Sequence, residues 1–116
     1  MTNKKVIKYC FALDLKDDEK KIAEYKSYHK RVWPEITKSI KDAGVINAEI
    51  YNTGNRLFMI MEVDHTFTFQ RKSRMDAKNL KVQEWEKLMW TYQKALPNVE
   101  KGAKWILMEQ IYSLNE

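Results

Sequence analysis

Val45-Ile46-Asn47-Ala48-Glu49-Ile50-Tyr51, Asn52-Thr53-Gly54-Asn55 and Arg56-Leu57-Phe58-Met59-Ile60-Met61-Glu62-Val63 are three consecutive runs that decide the fold. The first run reads as a strand, with β-branched and aromatic side chains. The second is made of turn formers. The third reads as another strand, so the two strands form a hairpin. Leu57-Phe58-Met59-Ile60-Met61 is apolar on both faces. A strand of that kind must be covered on both sides. Helices supply one cover, and a second sheet from a partner chain is the candidate for the other.

Upstream, Val6 to Leu15 forms a further strand, in which Ile7, Tyr9, Phe11, Leu13 and Leu15 alternate with Lys8, Cys10, Ala12 and Asp14. Asp17-Asp18-Glu19 follows, and acids suit the positive end of a helix. From there Ile22, Tyr25, His29, Val32, Ile36, Ile40 and Ala43 recur at helical spacing. They describe one amphipathic helix or two nearly continuous ones. Pro34 interrupts the run and Gly44 stops it. Downstream, Phe67 to Leu96 reads as helical in two pieces. Val82, Trp85, Leu88, Met89 and Tyr92 are the stripe of the second piece, and Pro97 ends it. Lys104 to Leu114 reads as the last strand, with Trp105, Leu107 and Ile111 on one face and Ile106, Met108 and Tyr112 on the other. The order β-α-β-β-α-β is α+β and ferredoxin-like. Apolar residues on both faces of the third and fourth strands call for a second sheet. A homodimer stacking two sheets, a dimeric α+β barrel, is the economical answer.

The bulk properties fit this reading. At 116 residues, 44% hydrophobic and 32% charged, the chain is expected to fold as a single domain over residues 1–116. Its net charge of +5 is spread through acids. The densest basic and aromatic stretch is Tyr25-Lys26-Ser27-Tyr28-His29-Lys30-Arg31, and a solvated helix face explains it better than nucleic acid does. No run approaches the roughly 18 apolar residues of a membrane span, and no secretory signal is visible. The single cysteine, Cys10, fits a reducing compartment, so a cytoplasmic location is expected. One cysteine and two histidines make a structural zinc site improbable. No phosphate loop, dinucleotide fingerprint or nucleophile elbow appears.

Chemistry concentrates on the first helix. Tyr25 and His29 are four residues apart and share the inward stripe, and Trp33 follows one turn on. A core histidine satisfied by a hydrogen bond is one reading. A general acid/base between helix and sheet is the other, since histidine exchanges protons near neutral pH. His65, beside Asp64, reads as a turn residue. Trp85 reads as core, and Glu62, Glu84 and Glu86 as solvated or salt-bridged.

Tyr25-Lys26-Ser27-Tyr28-His29 followed by Val32-Trp33-Pro34-Glu35 resembles the Y-x-x-x-H-x-x-x-W-P-E signature of the L-rhamnose mutarotase family. Ala43-Gly44, Ile50-Tyr51, Leu57-Phe58 and Met61-Glu62 follow at the family's spacing. Trp85-Glu86-Lys87-Leu88-Met89 resembles its late W-W-x-x-M helix, and the similarity runs from about Tyr9 to Tyr112. The resemblance implies a dimeric ferredoxin-like fold and a cofactor-free epimerisation at the anomeric carbon of a sugar. It makes the residue matching His29 the proton donor and places those matching Tyr25 and Trp85 against the sugar. Two positions depart from the pattern. Glu86 replaces the second late tryptophan, and Ala48 replaces a sugar-contacting tyrosine of the rhamnose enzymes. Trp85-Glu86-Lys87-Leu88-Met89-Trp90 looks like the branch described as acting on L-fucose. The expectation is therefore an isomerase acting on L-fucose or L-rhamnose, with His29 catalytic and Tyr25, Trp85 and Glu86 at the substrate. Glu86 or a water would take the second proton. The rival readings are a cofactor-independent monooxygenase and a non-enzymatic dimeric ligand-binding or regulatory module of the same fold.

Overall fold

The structure is a computed structural model and describes residues 6–115. Its elements in order are β1 (Ile7–Leu15), α1 (Glu19–Lys30), α2 (Pro34–Asp42), β2 (Val45–Thr53), β3 (Arg56–Val63), α3 (Phe69–Ala77), α4 (Leu80–Trp90), β4 (Gln93–Lys94) and β5 (Ile106–Leu107). The sheet runs β2-β3-β1-β4, with β5 also on β1, and every pairing is antiparallel. This is the ferredoxin-like α+β order, with the place of the fourth strand shared between β4 and β5. None of the helices described is long and apolar enough to cross a membrane.

Register decides which side chains meet the helices. Tyr9, Phe11 and Leu13 stand opposite Met61, Met59 and Leu57, and these six face the helical layer. Leu13, Leu15, Leu57 and Val63 are almost completely buried there. The intervening residues Cys10, Ala12, Phe58 and Ile60 face the other way. On that far face Asp14 is buried, 5% exposed, and both its oxygens are held by Arg56, from Nε at 2.7 Å and Nη2 at 3.1 Å. That pairing answers the cost of a buried carboxylate.

Each helix start has a local cause. Asp18 caps α1 by accepting from the Lys21 amide at 3.0 Å, and Thr68 caps α3 by accepting from Arg71. Asn79 caps α4, its Oδ1 accepting from the amides of Lys81 and Val82. Proline needs no amide partner in a first helical turn, and Pro34 opens α2 there. The long stripe is therefore two helices, not one. Gly44 ends the second with φ +100°, and its amide donates to Lys41 at 3.0 Å.

Two expectations are corrected. The late helix stops at Trp90, not at Pro97. Lys16 donates to the Tyr92 carbonyl at 2.8 Å, and Gln93 pairs with Leu15, so the edge of β1 draws this segment into the sheet. The last strand is also shorter than Lys104–Leu114. It pairs only at Ile106–Leu107, and the Met108 amide adds a bond to Cys10 at 2.7 Å. Beyond Met108 the chain leaves β1, with Ile111 89% and Leu114 79% exposed.

Candidate active site

α1 sets Tyr25 and His29 one turn apart on its inner face, their ring centroids 4.4 Å apart. His29 Nδ1 lies 2.8 Å from the Tyr25 carbonyl oxygen. A carbonyl can only accept, so Nδ1 carries the hydrogen. The nitrogen left to exchange a proton is Nε2. α4 brings Trp85 edge-on to His29 and to Trp33, at 5.7 Å and 5.1 Å between centroids. Tyr28 adds a third edge contact to Trp85 at 6.2 Å.

Of these rings, Tyr25, His29 and Trp85 line a cavity of about 640 Å³ between the helices and the sheet. That size is within the usual range of small-molecule sites, roughly 300–1,000 Å³. Tyr25, His29, Trp85 and Glu86 all line it, so the four expected site residues converge on one space. Opposite them, the sheet contributes Met59, Met61 and Ile50, an apolar floor. Ala48 lies on the same floor, where its small side chain leaves room. His65 is exposed in the turn after β3 and is not part of the lining.

Glu86 is half-buried at the cavity wall, with Lys104 Nζ at 4.0 Å from its Oε1. Lys104 also stands 5.7 Å from the Trp90 ring centroid, which holds the ammonium near the carboxylate. Tyr25 is only 3% exposed. Burial raises its phenol above the usual tyrosine range, and a hydrogen bond from Gln93 opposes that rise. The hydroxyl therefore stays protonated at neutral pH. Among the described residues, no group of three or more His, Cys, Asp or Glu side chains is placed to hold a metal ion.

Three lining residues, Gln93, Lys104 and Trp105, escaped the sequence reading. Trp105 carried a signal, since it was placed on one face of the last strand. That it packs against both core clusters needed the register with β1. Gln93 carried none, because it lay inside an expected helix. Lys104 looked like any surface lysine.

The family model described as L-rhamnose mutarotase matches residues 8–114. An L-fucose mutarotase from Xanthomonas campestris pv. campestris is 41% identical over 109 residues, 92% of this chain and 87% of its own. A UPF0734 protein from Dictyostelium discoideum is 33% identical over 114 residues, 92% of this chain and 89% of its own. Among solved structures, an L-rhamnose mutarotase from Formosa agariphila superposes with a TM-score of 0.68 at 23% identity, covering 93% of this chain and 98% of that one. A dimeric ferredoxin-like protein from an uncultured marine organism superposes with a TM-score of 0.53 at 18% identity, covering 96% and 95%.

Proposed function

The chain belongs to the L-rhamnose mutarotase family, and from that footing we propose that it interconverts the α and β anomers of a deoxy-hexose, L-fucose ahead of L-rhamnose. One observation carries the reading. His29, with Nδ1 tied to the Tyr25 carbonyl, and Glu86 line one cavity walled by Trp85. Mutarotation needs one group to give a proton to the ring oxygen and another to take the proton of the anomeric hydroxyl. The bond from the anomeric carbon to the ring oxygen breaks as the carbonyl forms. The aldehyde turns, and the ring closes on its other face by the reverse transfers. No proton is gained or lost overall.

As the imidazolium, His29 gives its Nε2 proton to the ring oxygen and becomes neutral. Glu86, or a water, receives the proton of the anomeric hydroxyl, and ring closure returns both. Tyr25 and Trp85 hold the sugar. The methyl group of a 6-deoxy sugar suits the apolar floor at Ile50, Met59 and Met61. L-fucose is ranked first on two grounds, the 41% identity to a protein described as an L-fucose mutarotase and the losses of aromatic surface at Glu86 and Ala48. A homodimer and a cytoplasmic location belong to the same proposal. The dimer is supported by the apolar residues of the far sheet face, and the location by the free Cys10.

Saturation-transfer NMR of anomer exchange tests the activity, with L-fucose, L-rhamnose and D-glucose compared side by side. The expected result is faster exchange of one deoxy sugar, falling by about 10²–10⁴-fold in His29→Ala. Glu86→Gln also slows exchange if the carboxylate is the second group, and normal turnover there leaves that step to a water. Unaccelerated exchange of all three sugars overturns the proposal.

A further inference from the structure

Gln93 is a buried amide directly behind Tyr25, and both side chains line the cavity. It is 6% exposed. Its Nε2 donates to the Tyr25 hydroxyl oxygen at 3.2 Å, joining residues 68 apart in sequence. A phenol that accepts a hydrogen bond keeps its one hydrogen to give elsewhere. Among the described residues no side chain or backbone oxygen takes that hydrogen. The other end of the amide is equally open. Gln93 Oε1 has no protein donor, yet no buried polar side-chain atom among the described residues is left unsatisfied. That oxygen is therefore not sealed in the core. Gln93 is itself a lining residue of the cavity.

We propose that Gln93 is a positioning and specificity residue that fixes Tyr25 as a donor toward the sugar and adds its own Oε1 as the matching acceptor. The inference rests on reading the cavity as a sugar site. A donor and an acceptor side by side fit a group that both takes and gives a hydrogen bond. A sugar hydroxyl does this, whereas a ring oxygen only accepts and a methyl group does neither. The pair thus selects a sugar with a hydroxyl at this point and turns away one that is deoxygenated there. Burial leaves little water to replace the lost partner, so a mismatch is costly.

The charge-altering variant Gln93→Glu separates this arrangement from a structural role. A carboxylate cannot donate to Tyr25, so it draws the phenol hydrogen to itself and strips the cavity of its donor. With L-fucose and L-rhamnose as probes, Gln93→Glu and Gln93→Met should raise KM and lower kcat/KM by about 10- to 100-fold, with kcat changed less. In a Tyr25→Phe background the Gln93→Met effect should shrink to a few-fold, because the partner it orients is gone. The wild-type protein gives a further reading that needs no variant to fold. The side-chain amide resonance of Gln93 should shift when L-fucose is added. Wild-type kinetics in both Gln93 variants, full additivity with Tyr25→Phe, or an unmoved amide resonance overturns the inference. Acceleration by the wild type together with any of these sinks the Gln93 role alone, whereas the absence of all acceleration sinks the mutarotase reading beneath it.

Discussion

Tyr25 and Tyr92 are two buried phenols held in opposite ways. Tyr25 accepts from Gln93, while Tyr92 donates to Glu24 Oε1 at 3.0 Å. Burial first, and then the neighbouring Glu24, push the Tyr92 phenol up to about 12. Burial also raises Tyr25. In the unfolded chain both ionise near pH 10. Between that pH and the raised folded values the native state holds protons that the unfolded state has released. Their contribution to stability is therefore whole below about pH 10 and is lost as pH rises above it, that of Tyr92 by about 12. Melting temperature measured up that range should hold and then fall, with a shallower fall in Tyr92→Phe. An equally steep fall in that variant refutes the assignment. At this scale much of the site could be read in advance. Tyr25 and His29 share a helix face, so their spacing alone put them together. The donor state of Nδ1 could not be read, since a tautomer depends on where the carbonyl behind it sits. Nor could Gln93, whose position follows from a strand edge and not from a periodic pattern.

Gly44 joins α2 to β2 and holds two elements of the cavity wall in register. Its φ of +100° is outside the range that side chains adopt easily, and an added Cβ would sit 2.6 Å from Thr66 Oγ1 and 2.8 Å from Asp64 Oδ1. The turn it meets is itself tied, with Thr66 donating to Asp64 through both hydroxyl and amide, which keeps that carboxyl below the usual range. Gly54 also has a positive φ, 55°, but nothing lies within 4 Å of its added Cβ. Gly54→Ala should thus cost about 1–2 kcal/mol, the left-handed penalty alone. Gly44→Ala should cost more, about 1–3 kcal/mol of backbone strain plus the displacement of the Asp64–Thr66 turn. Urea denaturation of the two variants checks the order, and equal costs would remove the argument from contact. Turn chemistry of this kind is why the hairpin and the α2 stop were readable from sequence. The ends of α4 and of the last strand were not, because apolar patterning continues through Tyr92 and through Leu114 whether or not a partner edge is there. The hydrogen bonds of β1, not the pattern, decide where each stops.

The molecule as a whole leaves two apolar regions incompletely covered by its own described residues. One is the far sheet face at Phe58 and Ile60, half-buried. The other is the arm after Met108, where Ile111, Tyr112 and Leu114 are 89%, 72% and 79% exposed. The proposed homodimer gives both a partner. Light scattering should return twice the chain mass, and a chain ended after Met108 should return the single mass while keeping its helical circular dichroism. A full-length monomer at micromolar concentration rejects the dimer. The topology carries a further consequence for how the protein is made. β1, the first of the described strands in chain order, lies in the middle of the sheet, and its two edges are filled by residues 56–63 on one side and by residues 93–107 on the other. At about 5–20 residues per second, synthesis keeps β1 waiting for several seconds until residues 93–107 have been made. On the ribosome the nascent chain therefore cannot complete its sheet by growth from the amino end. The sheet closes only once residues 93–107 clear the exit tunnel and reach β1.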